Sequence, residues 1–267
     1  VVESVRRVTF IYPEETRAVS LTGAYCAYGC PHCRGRYLKA METVDRVDPA
    51  NYRSFLVSGG FTEGGRVPLR ENLPFLARLK EMGKTVNVHP GFLEEEDVGC
   101  LKGLVDCLSL DFVADEETAR YLTAGRYGSR DYLRNYLLAK KHFPRVVPHL
   151  LVGALQGQVR GELEALKVLR RLGEERVVLL VLIPGRGQEK VPLEDVRGVL
   201  AAARDLFPCG QLILGCMRPG GGYRYQLDSL AIREGVDVVV RPHPVLRREV
   251  EEMGWAIEVK RECCALC

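Results

Sequence analysis

From about residue 18 to residue 242 the chain alternates short apolar runs with segments whose apolar positions recur every three or four residues. Eight runs read as strands: Ala18 to Leu21, Ser54 to Ser58, Thr85 to His89, Cys107 to Asp111, Val146 to Val152, Val177 to Ile183, Gln211 to Gly215 and Val236 to Val240. The intervening segments read as helices. Val159, Leu163, Leu166, Leu169 and Leu172 form one apolar stripe, and Leu193, Val196, Val199, Leu200, Ala203 and Phe207 form another. Gly83, Gly173 and Gly235 stand where a helix end calls for a left-handed residue. Repeated βα units build a parallel sheet covered by helices, and eight of them in about 225 residues predict an α/β fold, a TIM-type (β/α) barrel, full or nearly full. The expected organisation is an N-terminal extension (1–17), one barrel domain (18–254) and a cysteine-rich C-terminal tail (255–267). His243 to Gly254 reads as a helix, and Trp255 to Val259 alternates like an edge strand.

Charge and hydropathy narrow the function. Against 38 basic residues stand 35 acidic ones, so no basic stripe or tail advertises nucleic acid as a partner. No apolar run reaches the roughly 18 residues of a membrane span, and the first twenty residues mix charged and apolar positions unlike a secretion signal. A cytoplasmic protein with no membrane partner is expected. Ten cysteines in such a protein, bunched at short spacings, point to metal rather than to disulfides.

The densest chemistry directly follows the first expected strand: Cys26-Ala-Tyr-Gly-Cys30-Pro-His-Cys33. Three thiolates on one loop can ligate three corners of a cubane iron–sulfur cluster and leave the fourth iron open. In a barrel, loops after the strands form the active face. The same thiols could bind zinc with His32 or His89 as fourth ligand, but structural zinc usually recruits a second cysteine or histidine pair nearby. Ser58-Gly59-Gly60, after the second strand, reads either as a tight strand-to-helix turn or as a place where a ligand approaches the backbone.

This spacing, in this place, resembles the radical S-adenosylmethionine (SAM) superfamily. The resemblance implies a [4Fe-4S] cluster on Cys26, Cys30 and Cys33, with SAM chelating the open iron. It places His32 near the adenine, where the family usually has an aromatic residue, and Ser58, Gly59 and Gly60 at the methionyl amine. Gly153-Ala-Leu-Gln-Gly157 resembles a family motif bordering the adenine, with Leu155 at an expected isoleucine; Leu182 to Pro184 would complete that pocket. His89, Ser109 and Asp111, at two strand ends, stand where related enzymes bind ribose and carboxylate.

A second cysteine group ends the sequence, Cys263-Cys264-Ala-Leu-Cys267, and is expected to hold a second iron–sulfur cluster. A disordered tail, zinc or redox thiols are the alternatives, and Cys216, Cys100 or Cys107 could add a ligand; Cys100, Cys107 and Cys209 read as structural. Leu214-Gly-Cys-Met-Arg-Pro219, with the following glycines and Asp228, resembles the two-protein type of lipoyl synthase and, distantly, biotin synthase. Arg218 either contacts a carboxylate or SAM, or stabilises its loop. No cysteine precedes Cys26, unlike the single-chain lipoyl synthases. The resemblance implies sulfur insertion into an octanoyl chain on a lipoyl carrier protein or peptide, a second synthase subunit and an electron donor protein. A radical SAM methylase or cofactor-maturation enzyme, or a non-catalytic iron–sulfur assembly or electron-transfer protein, are the competing readings.

Overall fold

The computed structural model describes residues 6–185 and 187–267; the first five residues of the expected N-terminal extension lie outside them. In chain order the regular elements are β1 (Arg7–Ile11), β2 (Thr16–Ser20), β3 (Glu42–Thr43), β4 (Ser54–Ser58), α1 (Leu73–Glu81), β5 (Thr85–Val88), α2 (Glu95–Leu101), β6 (Cys107–Asp111), α3 (Glu116–Leu122), α4 (Ser129–His142) and β7 (Val146–Val152). They continue with α5 (Glu162–Arg171), β8 (Arg176–Val181), α6 (Leu193–Leu206), β9 (Gln211–Leu214), α7 (Gly222–Arg233), β10 (Val238–Val240), α8 (Leu246–Glu252) and β11 (Ala256–Lys260).

The chain forms two compact units, Val1–Pro13 with Leu150–Cys264, and Glu14–His149 with Ala265–Cys267. In the first, parallel strands run in the order β11-β1-β10-β9-β8. In the second the order is β7-β6-β5-β4-β2-β3, again parallel. Parallel strands covered by helices are apolar on both faces, and β8 shows it: Val177, Val178, Leu179, Leu180 and Val181 are all buried. Helices supply the cover through one stripe each. On α6 Val196, Val199, Leu200 and Ala203 turn inward, and on α1 Phe75, Leu76 and Leu79 do the same. Gly83, Gly173 and Gly235 follow α1, α5 and α7 with φ of +70°, +76° and +88°, as their positions predicted.

All eight expected strands form, and Trp255 to Val259 becomes the edge strand β11. Two more strands were not foreseen. β1 lies in the expected N-terminal extension; its Val8, Phe10 and Ile11 are buried, and its partners β10 and β11 come from the far end of the sequence. β3 is only two residues long and pairs with β2.

Register in the second unit positions the candidate site. Ser58 ends β4, and its hydroxyl donates to the carbonyl of His89, just beyond β5, at 2.9 Å. Asn87 pairs with Cys107, Ser109 with Val147, and Asp111 with His149. Side chains alternate along a strand, so Cys107, Ser109 and Asp111 share one face of β6. Neighbours on that face agree: Asn87 Nδ2 donates to Ser109 Oγ at 2.9 Å, and His89 Nε2 stands 3.5 Å from Asp111 Oδ1.

Candidate active site

The cysteine loop leaves the end of β2 and is pressed onto the turn after β4. Thr22 Oγ1 accepts from the Gly60 amide at 2.7 Å and donates to the Tyr25 carbonyl at 2.8 Å, while the Ala27 amide donates to the Phe61 carbonyl at 2.7 Å. A side chain at residue 60 would place its Cβ 2.0 Å from the Tyr25 oxygen and 2.7 Å from Cys26 Cβ, so glycine is required by this contact. Within the loop, the Cys33 and Arg34 amides donate to the Cys30 carbonyl, which folds Cys30 and Cys33 onto one turn. Tyr28 stacks on Phe61 at 4.5 Å between centroids, and the Arg126 guanidinium lies 4.0 Å above the Tyr28 ring.

The thiols sense one another. Cys30 is pushed up to about 12 by burial and then by the charges of Cys33 and Cys26. Burial also raises Cys33, with Cys26 and Asp111 adding to it. The raised Cys30 and Cys33 thiols disfavour the thiolate on their own, and a metal centre deprotonates the thiols that ligate it outright. By donor type and spacing, three thiols on one loop fit an iron–sulfur cluster. Among the described residues, no group of three or more His, Cys, Asp or Glu side chains is already drawn together to hold a metal ion.

Next to the loop lies a polar group unusual for a sheet face. Burial lowers His32, opposed by Asp111, and His32 Nδ1 is buried with no hydrogen-bond partner, a polar atom suited to a bound ligand. For His89, burial works against the proton, but the Asp111 charge and hydrogen bond outweigh it and the pKa is raised. Burial likewise works against Asp111 ionisation, and His89, His149 and His32 together hold its pKa low. Burial and the charge of His89 push His149 down to about 4. Asp111 is thus held toward its ionised form and His89 toward its protonated form, beside two imidazoles that burial holds toward their neutral form.

In the first unit the Gly153 to Gly157 segment makes a tight turn after β7. Gly153 has φ +75°, and a Cβ there would meet Val191 at 2.3 Å. Its amide, with that of Arg160, donates to the buried Glu162 carboxylate at 2.7 Å each. Gly157 has φ +90°, Leu155 is buried, and the Leu182 amide donates to the Val152 carbonyl. Of the two roles read for Arg218, the structure displays the stabilising one. Its guanidinium, fully buried, donates to both oxygens of Asp228 at 2.7 and 3.0 Å and to the carbonyls of Gly215, Val240 and Arg241. Asp228 also accepts from the His243 amide, tying α7 to the segment after β10.

The terminal cysteines divide between the units, Cys263 and Cys264 with the first and Cys267 with the second. Within the first, the Cys216 thiol is pushed up by the protein around it and then by Cys263. Within the second, Cys107 Sγ lies 3.4 Å from the Ala265 carbonyl, and Arg145 donates to the carbonyls of Leu266 and Cys267 at 3.1 and 2.8 Å. Cys107 is buried, whereas Cys100 and Cys209 are exposed, so the packed structural role expected of all three holds for Cys107 alone.

Three features escaped the sequence reading. Thr22 joins the loop to Gly60; Phe61, Phe92, Tyr127 and Tyr132 form an aromatic cluster beneath Tyr28; and His149 faces Asp111. Only His149 left a signal, as the one ionisable residue in an otherwise apolar run.

No protein-family model matches the sequence, and none of the curated proteins matches it as a relative. Similar folds are found among crystal structures. Methylornithine synthase (PylB) has a TM-score of 0.63 at 14% identity, over 94% of this chain and 83% of that one. HydG, a maturase of the [FeFe]-hydrogenase, has 0.64 at 15%, over 94% and 64%. SuiB of Streptococcus suis, bound to S-adenosylmethionine, has 0.53 at 12%, over 81% and 52%. This chain spans less than two thirds of the length of the latter two. At these identities the likeness is one of fold, and the chain has the α/β, (β/α) barrel type of fold that its strand pattern predicted.

Proposed function

We propose that this chain is a radical SAM enzyme that activates a C–H bond of an octanoyl chain for sulfur insertion, as one subunit of a lipoyl synthase. The observation that carries the radical SAM reading is the seating of the cysteine loop on Gly60 through Tyr25 and Cys26, beside the unpartnered His32 nitrogen and the strand-end row of His89 and Asp111. The fold shared with a protein crystallised with S-adenosylmethionine supports it. When bound, a reduced [4Fe-4S] cluster supplies the electron that cleaves SAM to a 5′-deoxyadenosyl radical, which takes a hydrogen atom from carbon. The chain's own residues hold the parts: the three thiolates would carry the cluster, Ser58, Gly59 and Gly60 the methionyl end of SAM, and His32 its adenine.

Sulfur insertion needs a sulfur source, and in this reading Cys263, Cys264 and Cys267 would hold it as a second cluster. Its last three residues are held by Cys107 and Arg145, and Cys107 shares a β6 face with Ser109 and Asp111. Four steps along the strand, about 13 Å at 3.3 Å each, separate Cys107 from Asp111. The octanoylated carrier protein, the second subunit and an electron donor protein belong to this reading, as does a cytoplasmic setting. Among the described residues no helix is long and apolar enough to cross a membrane.

The polar His89–Asp111–His149 group favours a second reading, a maturation or methylase-type enzyme acting on a smaller polar substrate. Anaerobic reconstitution separates the two. About eight irons, falling to about four when Cys26, Cys30 and Cys33 become alanine, together with SAM-dependent thiolation of an octanoyl-lysine peptide, is the expected result. About four irons that vanish in the variant, with SAM cleaved but no thiolation, would move the assignment to the second reading.

A further inference from the structure

His149 ends the polar part of β7, opposite Asp111 in register and with its ring 6.3 Å from that of His89 in an edge-on arrangement. Its Nδ1 lies 3.1 Å from the Val147 carbonyl. A carbonyl oxygen can only accept, so Nδ1 must carry the hydrogen, and in a neutral ring Nε2 is then a bare acceptor. Burial and the charged His89 keep this ring neutral well below pH 7. Its neighbours cannot use that acceptor in the same way. His89 and Asp111 pair with each other, and Asn87 and Ser109 exchange hydrogen bonds one step lower on the same face. A fixed, neutral acceptor at the edge of the His89–Asp111 pair is suited to a ligand donor rather than to a charge.

We propose that His149 is a positioning residue whose Nε2 accepts a hydrogen bond from the amide N–H that joins the octanoyl chain to its carrier lysine. This rests on the octanoyl reading above. That amide is the one N–H donor that the attached chain brings with it, and holding it would fix which carbons of the flexible chain lie near the radical. An ester of the same length has no such hydrogen and leaves Nε2 unpaired. Sites built around a hydrogen bond reject analogues lacking the partner, because a buried polar group is then left unsatisfied.

The test uses the reconstituted holoenzyme with SAM, prepared anaerobically, and two probes: an octanoyl-lysine peptide, and the same peptide with the lysine nitrogen replaced by oxygen. Calorimetric affinities are measured for the wild type, His149→Phe and His149→Gln, together with each protein's affinity for SAM and its iron content. The expected result is that the wild type prefers the amide by about tenfold, as one hydrogen bond allows. His149→Phe should bind both probes alike at the ester's affinity, and His149→Gln, which retains an acceptor, should recover part of the preference. SAM affinity and iron should not change. An undiminished preference in His149→Phe, or a parallel loss of SAM affinity, would overturn the assignment. If the wild type binds neither probe, the octanoyl reading itself falls, and this assignment falls with it.

Discussion

His89 Nε2 stands 3.5 Å from Asp111 Oδ1, at the carboxyl ends of neighbouring strands and on the face that Ser109 and Cys107 continue below. The pair lies between the cysteine loop, through His32 and Cys33, and the facing His149. Several measurable consequences depend on it and on the contacts around it.

The pH dependence of the pair follows from two opposite shifts. His89 is raised from 6.5, so its contribution is complete below 6.5 and is lost as pH rises through the higher folded value. Asp111 is lowered from 3.8, so its contribution is complete above 3.8 and is lost as pH falls through the lower folded value. The ion pair is therefore expected intact throughout the interval between those two ordinary values. In the metal-free protein, NMR titration should find the His89 pKa displaced upward, and Asp111→Asn should bring it down. An unchanged His89 titration in that variant would remove the pair from the account.

Gly60 and Gly59 offer a paired test of the loop seat. Alanine at 60 would drive its Cβ to 2.0 Å from the Tyr25 oxygen, whereas alanine at 59 meets Val67, Thr22 and Leu21 at 3.3 to 3.5 Å. Gly60→Ala should cost about 1–3 kcal/mol, the usual range for overpacking, and should lose reconstituted iron. Gly59→Ala should be milder in both. Urea unfolding and iron analysis read the two effects, and equal behaviour of the two variants would contradict the geometry.

Arg218 and Asp228 are buried together with no exposed side-chain surface. Removing one partner leaves an uncompensated charge, so Arg218→Ala should lose about 3–5 kcal/mol of stability. Replacing both with apolar residues of similar volume should recover much of that loss. Denaturant titration of the single and double variants decides it; a double variant no better than the single one would place the cost in the carbonyl contacts to Gly215, Val240 and Arg241.

Arg145 grips the last two carbonyls of the chain. Arg145→Ala should speed hydrogen exchange over residues 265–267 and lower the iron that remains when the first cysteine loop has been removed. Retention of that iron, with the tail exchanging freely, would show that the anchor does not serve the second cysteine group.

The sequence by itself determined the elements and the central motif. Period in apolar residues is a local property, so the eight βα strands and the glycines ending α1, α5 and α7 could be read directly. The cysteine spacing is local too, which is why Cys26, Cys30 and Cys33 stood out without a structure. Tertiary structure decided the rest. β1 is a strand because β10 and β11 flank it, partners more than two hundred residues away. Arg218 is a core residue because Asp228 and three carbonyls converge on it. His149 joins the site because register sets it opposite Asp111, and Gly60 is irreplaceable because the cysteine loop folds back onto it. Those relationships depend on which strand lies beside which and on close approach between distant segments, and neither is written in the periodicity of any one segment.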